Sequence, residues 1–253
     1  MAKDSERYIL SSVDSSLSVL NLFFDHETLN TTEIANLLGT NRSSIFRVIA
    51  TLENRGYLTK DEHSYYRLGL KMFTLGQLAQ SRMELNRLMH PYLERLAEET
   101  GETSHLIILE GRQAIFTDKV PGSYALKMDT PLGTAYPAHI TGGGKAILAF
   151  KDTGFLEDYY SNGDFKKYTD KSVSSASALK KLIAHVRKNG YAIDDEEAEI
   201  GLTCIAVPIL DERKEPIAAI SISGPTSRIM DAKDTIISSL KKVTEEIFVL
   251  LQD

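Results

Sequence analysis

Three consecutive glycines, Gly142, Gly143 and Gly144, stand directly before Lys145. Such a run costs backbone entropy, so another constraint must require it. Bare amides at the start of a helix form a corner suited to an anion, and glycine also lets a ligand approach the backbone closely. The alternative is a tight helix entry packed against a sheet. The G-x-x-x-x-G-K-[ST] spacing of a phosphate-binding loop is absent. A second set of chemically able residues lies further on. Ser221 and Ser223 fall on one face of the segment 217–223 by the period of two, with Ile220 and Ile222 on the other. Two adjacent hydroxyls make either a polar pocket or a solvated face. Cys204 lies on the neighbouring strand of the same hairpin, where a lone cysteine is by default a small core residue. The run Asp194-Asp195-Glu196-Glu197 reads as a solvated loop, one of whose carboxylates could instead orient a ligand hydroxyl or a backbone turn.

Catalysis and metal binding find little support in these residues. Ser104 and His105 are neighbours in a strand and so face opposite ways, which is poor geometry for a nucleophile and its base. No G-x-S-x-G elbow and no H-E-x-x-H helix is present. Cys204 is the single cysteine, which excludes a disulfide framework and a cysteine-cluster metal site. His139 and His185 show no ligand spacing with the acidic run. The expectation is no enzyme, no metal and no cofactor.

The elements that would position these residues form two domains. The chain of 253 residues is long for one domain and comfortable for two. With 42% apolar and 25% charged residues it is an ordinary folded composition. No span approaches the roughly 20 apolar residues that cross a bilayer, and Met1 to Arg7 lack the basic-then-apolar order of a secretion signal. A cytoplasmic location is expected. The net charge is −6, whereas nonspecific nucleic-acid coats are usually basic. Any contact with nucleic acid must therefore come from a local surface.

Apolar residues at Val13, Leu17, Leu20 and Phe24 predict a first helix. Asn30 or Thr31 can cap the next, with Glu33 placed to answer a cap at Asn30. Its inner face is Ile34, Leu37 and Leu38, and Gly39 ends it. Thr40 and Asn41 open a third helix with Ile45, Val48, Ile49 and Leu52 inward and Gly56 as terminator. Two strands follow, 57–59 and 65–68, around a polar tip at 60–64. Two short helices about a glycine turn and then a hairpin describe a winged helix-turn-helix. Its reading helix turns Ser43, Ser44 and Arg47 outward, with Arg42 in its first turn. These are donor types that reach base edges and phosphates. The wing adds Lys60 and His63. The alternative is a helical interaction domain with the same element order. Through Lys71 the chain holds eight basic and nine acidic residues, so the DNA reading rests on pattern and not on charge.

Residues 69–82 read as a linker helix with a wide apolar side, Leu70, Phe73 and Leu78 broadened by Met72, Leu75 and Ala79. A partner copy of the same helix is a candidate to cover it. Leu85, Leu88, Met89, Tyr92, Leu93 and Leu96 mark the next helix, which stops at Gly101. Then the period changes. Strands are expected at 105–109, 114–117 and 125–128, and helices at 141–150, 152–160 and 176–188. A hairpin follows at 203–210 and 216–223, and a last helix capped by Asp231. This second part is an α+β domain with an antiparallel sheet and helices packed on it.

In order and spacing, several segments resemble the isocitrate-lyase-regulator, or IclR, family of bacterial transcription factors. They are Ser12-Val13-Asp14, SIFRVIATLENRGY from Ser44 to Tyr57, Tyr66-Arg67-Leu68-Gly69, GGGKAILA from Gly142, Asp195-Glu196-Glu197, GLTCIAVPI from Gly201 and ISISGP from Ile220. The resemblance covers nearly the whole chain. It implies a winged helix-turn-helix DNA-binding domain over 1–69, a linker helix over 70–82 and a GAF-like effector-binding domain over 83–253. It also implies homodimers or homotetramers on palindromic operators of double-stranded DNA. Effectors would be small organic, aromatic or sugar-derived acids, and the controlled genes usually catabolic. A repressor is the first reading and an activator the second.

The family's pocket maps onto Gly142, Gly143, Asp194, Cys204, Ser221 and Ser223, with a wall near Ala125, Tyr136 and Ala138. Two departures stand out. Thr141-Gly142-Gly143-Gly144 replaces the family's frequent Ser-Gly-x-Gly, and Tyr136 stands where an aliphatic residue is common. The rivals are an enzyme acting on a small acid and a first domain that binds protein in place of DNA.

Overall fold

The helix-turn-helix starts from a reciprocal cap. The Asn30 side chain accepts from the amides of Thr32 and Glu33 at 2.9 and 3.1 Å, and the Glu33 carboxylate accepts from the Asn30 amide at 2.8 Å. The donors at the start of α2, Thr31–Leu37, are thereby satisfied. Gly39, at φ +60°, turns the chain, and Asn41 caps α3, Arg42–Asn54, by accepting from the Ser44 amide at 2.8 Å. In the computed structural model, residues 9–252 are described. The leader reading, which rests on Met1 to Arg7, lies outside them. The chain divides into two compact units after Arg82.

The first unit adds α1, Ser11–Asn21, a 3₁₀ turn at Leu22–Phe24, and three short strands: β1, Leu29–Asn30; β2, Leu58–Lys60; and β3, Tyr65–Leu68. They pair antiparallel in the order β1-β3-β2. The two-residue β1 was not legible as a strand, being too short to show a period. Val19, Ile34, Ile45, Ile49, Leu52, Leu58 and Tyr66 form the core.

Two expected faces are corrected. Val13, Leu17 and Phe24 are exposed; the inward line of the first helix is Ser16, Val19, Leu20 and Phe23. The tightening to a 3₁₀ turn after Asn21 shifts the phase of the last residues. In α2, Leu37 is half exposed while Ala35 is buried beside Ile34. Helix α4, Leu70–Ser81, follows the hairpin and has no buried residue.

The second unit is built on one six-stranded antiparallel sheet. Helix α5, Glu84–Thr100, ends at Gly101 in the left-handed conformation. Then come β4, Thr103–Glu110; β5, Gln113–Val120; β6, Ala135–Pro137; a 3₁₀ turn at Ala138–Ile140; and α6, Gly142–Leu148. Helices α7, Thr153–Asn162, and α8, Ala176–Asn189, precede β7, Ala192–Asp195, β8, Leu202–Leu210, and β9, Pro216–Pro225. The chain finishes with α9, Thr226–Asp231, and α10, Lys233–Leu250. The strand order is β6-β5-β4-β9-β8-β7. One face packs on α6, α7 and α8 through Ile107, Phe116, Ala206 and Ala219. The other packs on α5, α9 and α10 through Leu106, Ile205, Val207, Ile220 and Ile222.

Two expectations fail here. No strand forms at 125–128. The carbonyls of that irregular stretch are taken by side chains: Met128 accepts from Thr103 at 2.9 Å, Gly122 from Lys127 at 3.0 Å, Leu126 from Arg228 at 2.7 Å and Thr130 from Lys119 at 3.0 Å. The sheet edge is instead closed by β6, which pairs with β5 from Gln113 to Ile115. Asp231 does not cap the last helix. It is the final residue of α9, and the following helix starts after Ala232 without a side-chain cap.

Candidate functional site

Helix α3 presents two chemically distinct sides. Ile45, Ile49 and Leu52 are buried, while Arg42, Ser43, Phe46 and Arg47 are exposed and Ser44 is half-buried. The Asn41 cap also accepts from the Ser43 hydroxyl at 2.8 Å, which ties that side chain to the helix start. Lys60 is exposed at the end of β2, its ammonium 5.7 Å from the Tyr66 ring centroid, and His63 is exposed in the wing tip. Beside Arg47, Ser44 and Thr51 runs a groove whose other wall is Ser11, Ser12, Ser15 and Ser16 of α1. Of those serines the sequence reading named only Ser12, in the segment Ser12-Val13-Asp14, since nothing local marks them as neighbours of Arg47.

In the second unit the ladder brings distant residues side by side. Cys204 is opposite Ser223 on one flank and Asp194 on the other, and Ser223 is opposite Thr103. One step along, Ala206 is opposite Ser221, which is opposite His105. Residues directly opposite in an antiparallel ladder share a face. Thr103, His105, Ser221, Ser223, Cys204 and Asp194 therefore make one polar lane at one end of the face that packs on α6. All six are buried. Neither ring nitrogen of His105 has a hydrogen-bond partner among the described residues; the hydroxyls of Ser221 and Ser223 have no nitrogen or oxygen partner and face the Cys204 sulfur.

Burial dominates the electrostatics of the lane. It holds the His105 imidazole down to about 3, with Lys119 acting in the same direction. It pushes the Cys204 thiol up to about 11, aided by Asp194 and opposed by hydrogen bonding from the Ser223 and Ser221 hydroxyls. It raises the Asp194 carboxyl to about 7 against the pull of Lys145. The default reading of 194–197 as a solvated loop is thus corrected. Asp194 and Glu197 are buried, and Asp194 Oδ1 accepts from the amides of Glu197 and Ala198 at 2.8 and 3.4 Å. Lys145, itself buried, donates to the carbonyl of Ile193 at 2.6 Å and to the Glu197 carboxylate. Charges this deep are stable only when paired, and this pair joins α6 to the end of β7.

The glycine run has a packing explanation. A methyl group on Gly144 would stand 2.3 Å from the carbonyl oxygen of Ala138. On Gly143 it would press on Ile107 at 3.0 Å, and on Gly142 on the Cys204 carbonyl and sulfur at 3.1 Å. The contact at Gly144 requires glycine without any ligand, whereas those at Gly142 and Gly143 are tight enough that a neighbour would have to give by a few tenths of an ångström. Thr141 caps α6 by accepting from the Gly144 amide at 3.0 Å, and the first-turn amides of Gly142 and Gly143 have no intrahelical acceptor.

The remaining residues of the expected pocket are placed unequally. Tyr136 is half-buried on β6, its ring edge-on to Phe116 at 6.1 Å, and burial raises its hydroxyl pKa with Glu199, Tyr168 and Asp194 contributing. Ala138 is buried in the 3₁₀ turn. Ala125 is exposed in the irregular stretch and is not on a strand. Ser104 turns to the opposite face and donates to the Leu93 carbonyl at 2.8 Å, so it has no contact with His105 as nucleophile and base. Sequence reasoning weighed His105 only as half of that pair and missed its position opposite Ser221. Aligning the period of two in 103–107 with that in 219–223 is the signal that finds it. Lys145 and Glu197 carry no comparable local signal. Among the described residues no group of three His, Cys, Asp or Glu is placed to hold a metal, and no helix is long and apolar enough to cross a membrane.

Comparison with known proteins agrees along the chain. Residues 12–62 match the IclR helix-turn-helix domain, and residues 77–249 match the C-terminal domain of bacterial transcriptional regulator IclR. The HTH-type transcriptional regulator XynR of Escherichia coli K12 is 33% identical over 227 residues, covering 89% of this chain and 90% of its own. The transcriptional repressor IclR of the same organism is 35% identical over 221 residues, 84% of this chain and 81% of its own. The crystal structure of an IclR transcriptional regulator from Alicyclobacillus acidocaldarius superposes with a TM-score of 0.83 at 25% identity, covering 96% of this chain and 99% of that one.

Proposed function

The chain belongs to the IclR family of bacterial transcriptional regulators, and from that premise we propose how its own residues divide the work. It is a DNA-binding regulator and not an enzyme, with an N-terminal helix-turn-helix domain linked to a β-rich effector domain. The observation that carries the proposal is the side-chain division of α3, with Ile45, Ile49 and Leu52 in the core and Arg42, Ser43 and Arg47 outward behind a fixed cap.

In this reading, α3 enters the major groove. Arg47, Ser43 and Ser44 contact base edges and nearby phosphates. Arg42 and Lys60 position the backbone. Two copies of the chain, singly or as a pair of dimers, read the halves of a palindromic operator beside catabolic genes, and the basal action is repression.

The second domain, whose layers of helices on an antiparallel sheet suit a GAF-like description, takes a small organic, aromatic or sugar-derived acid. The lane of Asp194, Cys204, Ser221 and Ser223 orients it, with Tyr136 as part of the wall. Gly142 and Gly143 let the α6 backbone come down on Cys204 and Ile107, and their amides are offered to the carboxylate by charge-assisted hydrogen bonds. Ala125 belongs to this proposal only as part of the stretch bordering the lane.

Selection of bound fragments from genomic DNA tests the regulator reading, with enrichment of one near-palindromic site expected and its absence with and without acids counting against it. Arg47→Ala is expected to weaken operator binding about tenfold or more, and Lys60→Ala to flatten the salt dependence by about one unit of slope. Binding titrations at several salt concentrations read both, and unchanged values remove the assigned roles.

A further inference from the structure

The polar lane contains more hydrogen-bonding capacity than the protein itself uses. His105 is fully buried, with both ring nitrogens unpartnered, and directly opposite it lies Ser221, buried, whose hydroxyl has only the Cys204 sulfur beside it. Ser223, two residues further along the strand and opposite Cys204, likewise has no nitrogen or oxygen partner. A buried polar atom without a partner costs about 1–3 kcal/mol, and native structures keep such groups rare. Both nitrogens of one imidazole left without a partner, beside two hydroxyls that have only a sulfur to serve, point to a partner that the fold does not supply.

The chemistry of that partner follows from which charges are already committed. Lys145 is held by Glu197 and the Ile193 carbonyl. Lys119, opposite His105 on the other flank, is held by Asp129 and the Thr130 carbonyl. The lane therefore offers no uncommitted cation, and a carboxylate at His105 would be buried without a countercharge. A hydroxyl fits. A neutral imidazole has one donor and one acceptor nitrogen, and each serine hydroxyl can do either. A ligand O–H can donate to one group and accept from another in the same lane. The ring contact supports the same conclusion, because His105 stands edge-on to Phe116 at 5.1 Å, a packing role that phenylalanine would fill without any nitrogen.

We propose that His105, with Ser221, is a specificity-determining residue of the effector site and recognises a hydroxyl group carried by an acid effector away from its carboxylate. This rests on the effector-site reading above, and it narrows the ligand from small acids in general to hydroxylated acids.

Calorimetric titration of the full-length protein with matched pairs tests it: 3-hydroxybutyrate against butyrate, gluconate against hexanoate, and 4-hydroxybenzoate against benzoate. The wild-type protein is expected to prefer the hydroxylated member of at least one pair by about tenfold or more. His105→Phe is expected to reduce that preference to less than about threefold while leaving the affinity for the plain acid unchanged. His105→Gln, which restores a donor and an acceptor, should recover part of it. The thermal midpoint of His105→Phe should equal or exceed that of the wild type, whereas a histidine serving the fold would lower it.

Equal binding of every pair by the wild type, or full discrimination retained in His105→Phe, overturns the assignment while the effector site stands. Binding of plain and hydroxylated acids that is unaffected by Ser221→Ala, Ser223→Ala and His105→Phe alike removes the site reading itself, and this inference with it.

Discussion

At the scale of single residues, the buried ionisable groups give the sharpest expectations. Asp194 is held up to about 7 by burial, whereas the unfolded chain would titrate near the ordinary aspartate value of about 3.9. A folded pKa above the unfolded one contributes stability that is complete below the unfolded pKa and is lost as pH rises through the folded one. The window therefore runs from about pH 4 to about pH 7. Asn in place of Asp194 can still accept from the amides of Glu197 and Ala198 and cannot ionise. Asp194→Asn is expected to raise stability by about 1–3 kcal/mol at pH 8 and to make no difference near pH 4. Denaturant melts across this range check it; a gain that does not depend on pH would show that ionisation is not the cause. His105 has the opposite sign. Its folded pKa, about 3, lies below the unfolded value, so its contribution is present above about pH 6.5 and is lost as pH falls towards 3. The acid limb of stability should accordingly flatten in His105→Phe.

At the scale of elements, the join between α6 and β7 depends on one ion pair. Lys145→Met leaves the Glu197 carboxylate buried beside Asp194 with no cation, and it should cost about 3–5 kcal/mol. The double change Lys145→Met/Glu197→Met should recover most of that loss, because replacing a whole buried pair with apolar groups is often neutral. Equilibrium unfolding of the two variants decides it: a double variant no better than the single one would mean that Lys145 acts by packing. This pair also shows where the sequence stops being readable. Caps and helix ends were legible at Asn30, Asn41 and Gly101, since each is settled by a residue and its immediate neighbours. The burial of the acidic run was not legible, because the lysine that makes it tolerable lies 52 residues away from Glu197. The glycine run was visible, but not the carbonyl of Ala138 that demands Gly144. The strand expected at 125–128 failed for the same reason: the carbonyls of Met128 and Leu126 are claimed by Thr103 and Arg228, whose proximity depends on the completed fold. Cys204, Ser221 and Ser223 could be grouped from sequence because they share one hairpin, whereas His105 joins them only through the β4–β9 ladder.

At the scale of the whole molecule, an effector changes operator binding only if it binds two DNA-binding geometries unequally, and the coupling is reciprocal. Operator DNA must then change effector affinity by the same factor as effector changes operator affinity. Helix α4 is the last element of the unit that holds α3, and the unit that holds the polar lane begins directly after it, at Met83. It carries Leu70, Phe73, Leu75 and Leu78, all exposed, and leaving so many large apolar side chains in water along one helix is unfavourable. Under the dimer proposal, a second copy of the chain covers them and so fixes the spacing of the two reading helices. Leu70→Ser/Phe73→Ser is therefore expected to shift sedimentation towards the monomer, and to weaken operator binding because two half-sites are no longer engaged together. The effector should still bind with nearly wild-type affinity, since none of its proposed contacts lies on α4. The coupling factor, typically about 5–150 in regulated proteins, should fall towards one. If the double variant keeps both its mass in solution and its coupling, α4 is neither the contact between copies nor the transmitting element, and the signal must leave the second unit by another route.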